Sequence, residues 1–409
     1  MKKNINKSDK GVALITTVVL LFAVMIIVLT GAQLISTSFK ETKYQQNFVA
    51  EAENVARAGI VDTISWFRRQ STVVKSGPSP TPPHWIDEPF NPKYDADPTK
   101  SYTIDENIGL VKEYQLSENG VKWARYEIKR QTNPAVAPYD SNAVHDITGS
   151  RIPSKQDGDG LAWSIVSTGY VYRKVGTGPF TSPPDILISR AKVSTEIRRI
   201  DITRPENSAV IVGNANNVVI NKNGRIRGGI SNAGIARKSG SPTIDTRGEV
   251  TGNPPVAPAN GTYDLSVIGI FGISDLELRS LADRCEVVFS TPIPDMSLIY
   301  INGNATFTES KPLRSSGILI INGDLTIEEH SNSLYSGLIY ITGNAVINTP
   351  CLISGCLIVN GSLTLSSSSA TDVAEIDYDE SWINTVIQQV CQYRENKSLT
   401  HTFKLIQGM

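Results

Sequence analysis

From Gly11 to Phe39 no charged residue interrupts the chain, and the stretch from Val12 to about Ile35 is apolar all round. At 1.5 Å per residue, a helix of that length crosses a hydrocarbon core ~30 Å thick. Further on, Phe48, Val49, Ala52, Val55, Ala56, Gly59, Ile60, Thr63, Ile64 and Phe67 recur at helical spacing. No proline occurs between Val12 and Arg69, so one nearly continuous helix is predicted over 12–70, roughly 87 Å long. Its first half belongs in lipid or among other helices, and its second half needs a globular domain to cover one stripe. Gly31 and Gly59 are candidate bends. A run of prolines from Pro78 to Pro98 then rules out helix.

Strand patterns follow. Lys122–Arg130, Ala162–Lys174 and Ile186–Ile202 alternate or are β-branched, with Asn119-Gly120 as a turn, predicting a small antiparallel sheet in a β-rich domain over 71–204. Residues 298–303, 318–323, 338–343 and 356–361 then repeat an apolar strand that ends in Asn-Gly or Thr-Gly, the glycines being Gly303, Gly323, Gly343 and Gly361. That period predicts coils of a parallel β-solenoid over 205–370, with an insertion near 251–294. Ile299, Leu319, Ile339 and Leu357 form one inward column, Ile301, Ile321, Ile341 and Val359 a second, and Phe307, Ile327, Ile347 and Leu365 a third. The corner glycines are expected at φ > 0, with Asn side chains bonded along the stack. Tyr300 and Tyr340, with Ile320 and Ile358, fall on the outer face, open to a sugar or protein unless a helix or the insertion covers them. Ser381 to Tyr393 reads as an amphipathic helix in a C-terminal cap over 371–409. The expected fold class is α+β: a long N-terminal helix, a small antiparallel sheet and a C-terminal parallel β-helix with a terminal helix.

Charge adds little. With 39 basic and 40 acidic residues in 409, no global field draws the chain to nucleic acid. His84, His145, His330 and His401 are scattered, without metal-ligand spacing. Asp157-Gly158-Asp159-Gly160 offers too few oxygens for calcium and reads as a polar loop. Asp324, Glu328, Glu329 and His330 come nearest to a carboxylate set for glycan cleavage, but they fall in one coil and read as solvated turn residues. No catalytic residue, metal or cofactor is predicted. Cys285, Cys351, Cys356 and Cys391 allow two bridges in three pairings, the natural one being Cys351–Cys356 with Cys285–Cys391; buried free thiols are the other reading.

Lys2, Lys3, Lys7 and Lys10 against Asp9 place the leader on the cytoplasmic side of a membrane. Lys10-Gly11-Val12-Ala13-Leu14-Ile15-Thr16 resembles the prepilin peptidase site of type IV pilins and type II secretion pseudopilins, and Phe48 to Ile60 resembles the alanine-rich stretch of PilX-type minor pilins. The resemblance implies a leader over 1–11, cleavage after Gly11 and N-methylation of Val12. It also implies the prepilin peptidase and other pilins or pseudopilins as partners, and the inner membrane before assembly. Thr16 stands where major pilins carry Glu, as in some GspK-like tip pseudopilins, which implies a low-copy priming or tip subunit acting in assembly and surface display of a glycan- or protein-binding domain. The competing readings are a permanently anchored solenoid that binds or cleaves envelope polysaccharide, and a bactofilin-like polymer of stacked solenoids.

Overall fold

The computed structural model describes residues 7–71, 90, 103–105, 108–118, 120–131, 140–152, 155–156, 159–176, 180, 185–287, 292–366 and 371–405. Residues 1–6 of the leader, the prolines from Pro78 to Pro98, Asn119 of the expected turn, and Asp157 and Gly158 of the polar loop lie outside the described residues. Helix α1 (Lys7–Ser71) is unbroken for 65 residues, roughly 98 Å at 1.5 Å per residue.

The first sheet begins as a meander of β1 (Thr103–Asp105), β2 (Gly109–Gln115) and β3 (Lys122–Arg130). Strand β4 (Ala143–Asp146) joins β3 in parallel, and after the single turn α2 (Thr148–Arg151) the long β5 (Ala162–Arg173) pairs with β3, β4 and β6 (Ile186–Arg198).

The chain then winds through parallel coils. β7 (Ser208–Asn214), β8 (Val218–Ile220) and β9 (Gly224–Arg227) make one turn; β10 (Ala233–Ser239), β11 (Thr243–Ile244) and β12 (Glu249–Thr251) stack on it strand for strand. From there a crossing segment with α3 (Val267–Phe271) and α4 (Asp275–Leu281) runs to β13 (Arg284–Glu286). Serines open both helices: Ser266 Oγ accepts from Gly269 N and Ser274 Oγ from Glu277 N.

Winding resumes with β14 (Ser297–Ile301), β15 (Ala305–Phe307), β16 (Arg314–Ile321), β17 (Leu325–Ile327), β18 (Ser333–Ile341), β19 (Ala345–Asn348), β20 (Cys351–Val359), β21 (Leu363–Ser366) and β22 (Ala374–Asp377). The register aligns Ile299, Leu319, Ile339 and Leu357, and likewise Phe307, Ile327, Ile347 and Leu365, all buried. This second run ends on the turn that began the first: Leu357 pairs with Val210, Leu363 with Val218 and Ala374 with Gly224. The stack is therefore entered at its middle, built to one end, and completed from the other. The result is a ten-stranded and a six-stranded sheet, all parallel.

Helix α5 (Glu380–Val390), capped by Asp379 accepting from Trp382 N, leads back to β23 (Arg394–Glu395) and β24 (His401–Leu405), which pair antiparallel with β6. The α+β expectation is corrected here. Outside α1 the described α-helices have 4 to 11 residues and the chain is mostly sheet. The first sheet is mixed and eight-stranded, curved as a half-barrel, not a small antiparallel domain. The coils are not appended to it but inserted between β6 and β23. Strands as short as β23 and β24 carry no signal of so distant a partner, because they are fixed by the open edge of β6 and not by an alternation of their own.

Two other expectations change. Helix α5 does not close an end; it lies against β16, β18 and β20. The ends are instead guarded by prolines that cannot donate to a further ladder: Pro242 before β11, Pro254, Pro255 and Pro258 around Val256, and Pro292 and Pro294 before β14. Of the corner glycines only Gly303 has positive φ (151°); Gly323, Gly343 and Gly361 are required because a Cβ would lie 2.6, 2.7 and 2.5 Å from the carbonyl oxygen of the glycine one coil before. The positive-φ column lies elsewhere, at Gly317, Gly337 and Gly355 (124°, 142° and 145°). Side chains bond along the corners as expected: Asn322 Nδ2 donates to Asn302 Oδ1 at 3.1 Å and Thr342 Oγ1 to Asn322 Oδ1 at 3.2 Å.

Candidate functional site

The two halves of α1 are in opposite situations. Thr17–Ser38 is a 22-residue span long and apolar enough to cross a membrane, and none of it is buried within the molecule. Every large apolar side chain from Val18 to Leu29, Phe22 and Ile27 among them, is at least half exposed. Thr30 and Thr37 return their hydroxyls to the carbonyls of Ile26 and Gln33, so these polar groups stay satisfied without water.

Beyond Val49 the helix becomes the core of the first sheet. Ala52, Ala56 and Gly59 form a stripe of small residues spaced four and three apart, and it rides on β5 at Gly169 and Ser167. Absence of large side chains there lets the two backbones touch. On either side Val55, Ile60, Ile64 and Phe67 are buried against Ile128, Ile165, Val193 and Ile197. Thr63, in the same interface, donates to Gly59 O at 2.8 Å. Polar ties fix the rotation of the helix: Tyr126 hydroxyl to Asp62, Lys122 to Glu51, and Thr402 of β24 between Glu53 and Arg57. At the helix end Trp66, Phe67, Phe90, Trp163 and Tyr393 pack as one aromatic cluster. Tyr393 is the residue that locks the returning strand in place: its hydroxyl donates to Gly160 O, and its carbonyl accepts from Arg68 Nε at 2.8 Å.

A second joint holds the inserted stack. Arg198, fully buried at the end of β6, donates from Nη1 to Glu277 Oε2 of α4 at 3.2 Å, with Nη2 2.8 Å from Oε1. Burial lowers the pKa of Arg198 and pushes that of Arg199 down to about 10. Arg394 bonds Asp283 and the Val390 carbonyl, closing the same joint from the C-terminal side.

The residues singled out in the sequence fall in different places. Gly11, Val12 and Thr16 lie on the α1 backbone, at the far end of the exposed half. Tyr300, Ile320, Tyr340 and Ile358 line up as expected but offer no open surface, because the crossing segment seals them: Tyr340 donates to Leu265 O at 2.8 Å and stands edge-on to Phe271, and Tyr300 bonds Asp275. Asp324 is a rung of the corner ladder, accepting from Asn344 N at 2.7 Å. Among the described residues no group of three His, Cys, Asp or Glu is placed to hold a metal ion.

Neither expected disulfide forms. Cys351 and Cys356 share β20 on either side of Ser354-Gly355, and the two are not bonded to each other. All four thiols are free; Cys285 is exposed, and burial pushes Cys351, Cys356 and Cys391 up to about 12. A maleimide should therefore add once to the native protein, at Cys285, and four times after denaturation, as read by intact mass. A native adduct at any other cysteine, or a mass two hydrogens short, would contradict this arrangement.

The most informative residues that sequence reasoning missed are Gly317, Gly337 and Gly355. Their signal is present, since three of the four repeats carry a Ser-Gly pair immediately before the apolar run: Ser316-Gly317, Ser336-Gly337 and Ser354-Gly355.

No protein-family model matches the chain, and no curated protein matches it. Among crystal structures it is similar to the competence-associated pilin ComZ from Thermus thermophilus, at 10% identity and a TM-score of 0.22, over 88% of this chain and 98% of that one. A superposition that loose establishes neither a shared fold nor a shared activity.

Proposed function

We propose that this chain is a pilin-like subunit: its leader is removed after Gly11, its apolar half-helix passes from membrane to filament, and its inserted stack is displayed outside the cell without catalysis. The observation that carries this reading is the division of α1. One unbroken helix is bare from Thr17 to Ser38 and forms the core of a sheet from Val49 onward. A simple anchor could end at the membrane surface and connect through a loop. Here the span continues into the domain as the same helix, so whatever packs around the bare half also positions the sheet that carries the stack.

Thr16 refines the reading to a priming or tip-associated minor subunit. In a shaft every helix is surrounded by identical copies, and a carboxylate that pairs with a neighbouring terminal amine recurs at each of them; a single subunit at the end lacks that demand. The position of the basic leader residues fits a precursor with its bulk outside the inner membrane.

Expression with and without a prepilin peptidase tests the reading. Intact-mass and N-terminal peptide analysis should find Val12 as the new terminus only when the peptidase is present, and Gly11→Ala should abolish the cut. A leader that stays intact in every case would replace the reading with a permanently anchored display protein.

A further inference from the structure

At the end of the stack formed by β10 to β12, four separate segments converge on a pocket of about 410 Å³. Residues 206–207 arrive from before β7, 231–232 from the turn between β9 and β10, 253–260 from the loop after β12, and Tyr263 from the start of the crossing segment. We propose that this pocket binds the neutral sugar units at the end of a glycan.

The polar lining is matched to hydroxyl groups. Asn207, Asn232, Asn253 and Asn260 bring carboxamides, a group type that both donates and accepts, and Glu206 brings a carboxylate. Vicinal hydroxyls, which both donate and accept, are the ligand groups that such a set satisfies together. Part of the lining is already oriented. Tyr263 is buried and donates to Glu206 Oε2 at 2.8 Å, leaving the other carboxylate oxygen for a ligand. Asn207 Nδ2 donates to Glu380 Oε1 at 3.2 Å, and Asn260 Oδ1 accepts from Thr262 N at 3.1 Å and from Thr262 Oγ1 at 2.6 Å, which leaves the Asn260 amino group to face a ligand. Groups held this way lose little freedom on binding.

The remaining walls suit the other side of a sugar ring. Pro254 and Pro258 present flat C–H surfaces, with Ala257 and Ala259 beside them. Among the described residues no lysine or arginine lines the pocket, and its one charged group is Glu206, so phosphate and sulfate esters are repelled. The volume accommodates about two rings.

The inference extends the display reading by naming what is bound, but it does not require leader cleavage. It is tested on the purified full-length chain in detergent, with the leader intact, by saturation-transfer NMR and calorimetry. Cellotriose, maltotriose and diacetylchitobiose are the probes, with inorganic phosphate as the anionic control. At least one saccharide should bind saturably, Glu206→Gln should weaken it about tenfold by removing a charged acceptor, and Ser231→Trp, on an exposed turn, should abolish it. The proposal is overturned if no saccharide binds at about 10 mM, if binding survives both substitutions, or if phosphate competes.

Discussion

Gly337→Ala should destabilise the protein by about 4 kcal/mol or more, among the largest effects a single methyl group can have. Gly337 sits at the bend of β18 with φ at 142°, a conformation that costs an L side chain about 1–3 kcal/mol by itself. The added Cβ would also land on the carbonyl oxygen of Gly317 in the coil before it. Neither coil can yield, since Gly317 is stacked on Ser297, and Gly355 on Gly337, in the same ladder. Relief of the clash would have to open β16–β18 along its length. The control is Thr326→Ala, on the outward side of β17 one face away, which should cost less than about 0.5 kcal/mol. Denaturant unfolding followed by circular dichroism reads both. A Gly337→Ala midpoint within error of the Thr326→Ala midpoint would show that the coils are not in contact at this column.

The contrast between those two residues shows what could be read from the sequence. Repetition exposes the coils: a column such as Ile299, Leu319, Ile339 and Leu357 is visible because each member occupies the same place in its repeat. The Ser-Gly pairs are equally visible, but a repeated glycine does not state which of its two properties is in use. The Asn-Gly corners invite a conformational reason and are mostly steric; the Ser-Gly bends need both. The continuous helix is legible for a simpler reason, since a missing proline and a maintained period are local facts.

Long-range placement is not local. Nothing in Arg394-Glu395 or His401 to Leu405 specifies that β6, and no other strand, is their partner. Nothing in the repeats shows that Leu357 will meet Val210, so a stack entered at its middle reads in the sequence as a regular run preceded by an irregular one. The outer face at Tyr300 and Tyr340 is legible as a face, but its cover comes from residues 263–281, across a loop closure whose cost does not reveal its destination. The amide pocket is the extreme case. Its four asparagines come from three segments with no shared pattern, and only the return of the chain to the end of the stack makes them neighbours.

Gly169→Ala should separate α1 from its sheet while leaving the coils folded. Gly169 has ordinary strand geometry, so the substitution adds no backbone strain and any loss measures the helix contact alone. Its Cβ would fall on the Ala52 carbonyl oxygen and lie 2.6 Å from Ala56 N, both backbone atoms that no rotamer change can move. The helix must therefore lift or slide, drawing Val55, Ile60 and Phe67 out of the apolar interface at a cost of about 2–4 kcal/mol. Hydrogen exchange should show lost protection across residues 49–67 and the facing amides of β5 and β6, with β14 to β21 unchanged. In the proposed reading the consequence reaches assembly, because the half of α1 packed into a filament and the half that carries the sheet are one helix. A subunit whose helix is loose on its sheet should still be cleaved after Gly11, since the cut lies at the far end of α1, yet be incorporated poorly. Cleavage and incorporation falling together would mean that the sheet contact is needed for processing as well, and unchanged exchange at residues 49–67 would refute the close helix–sheet contact itself.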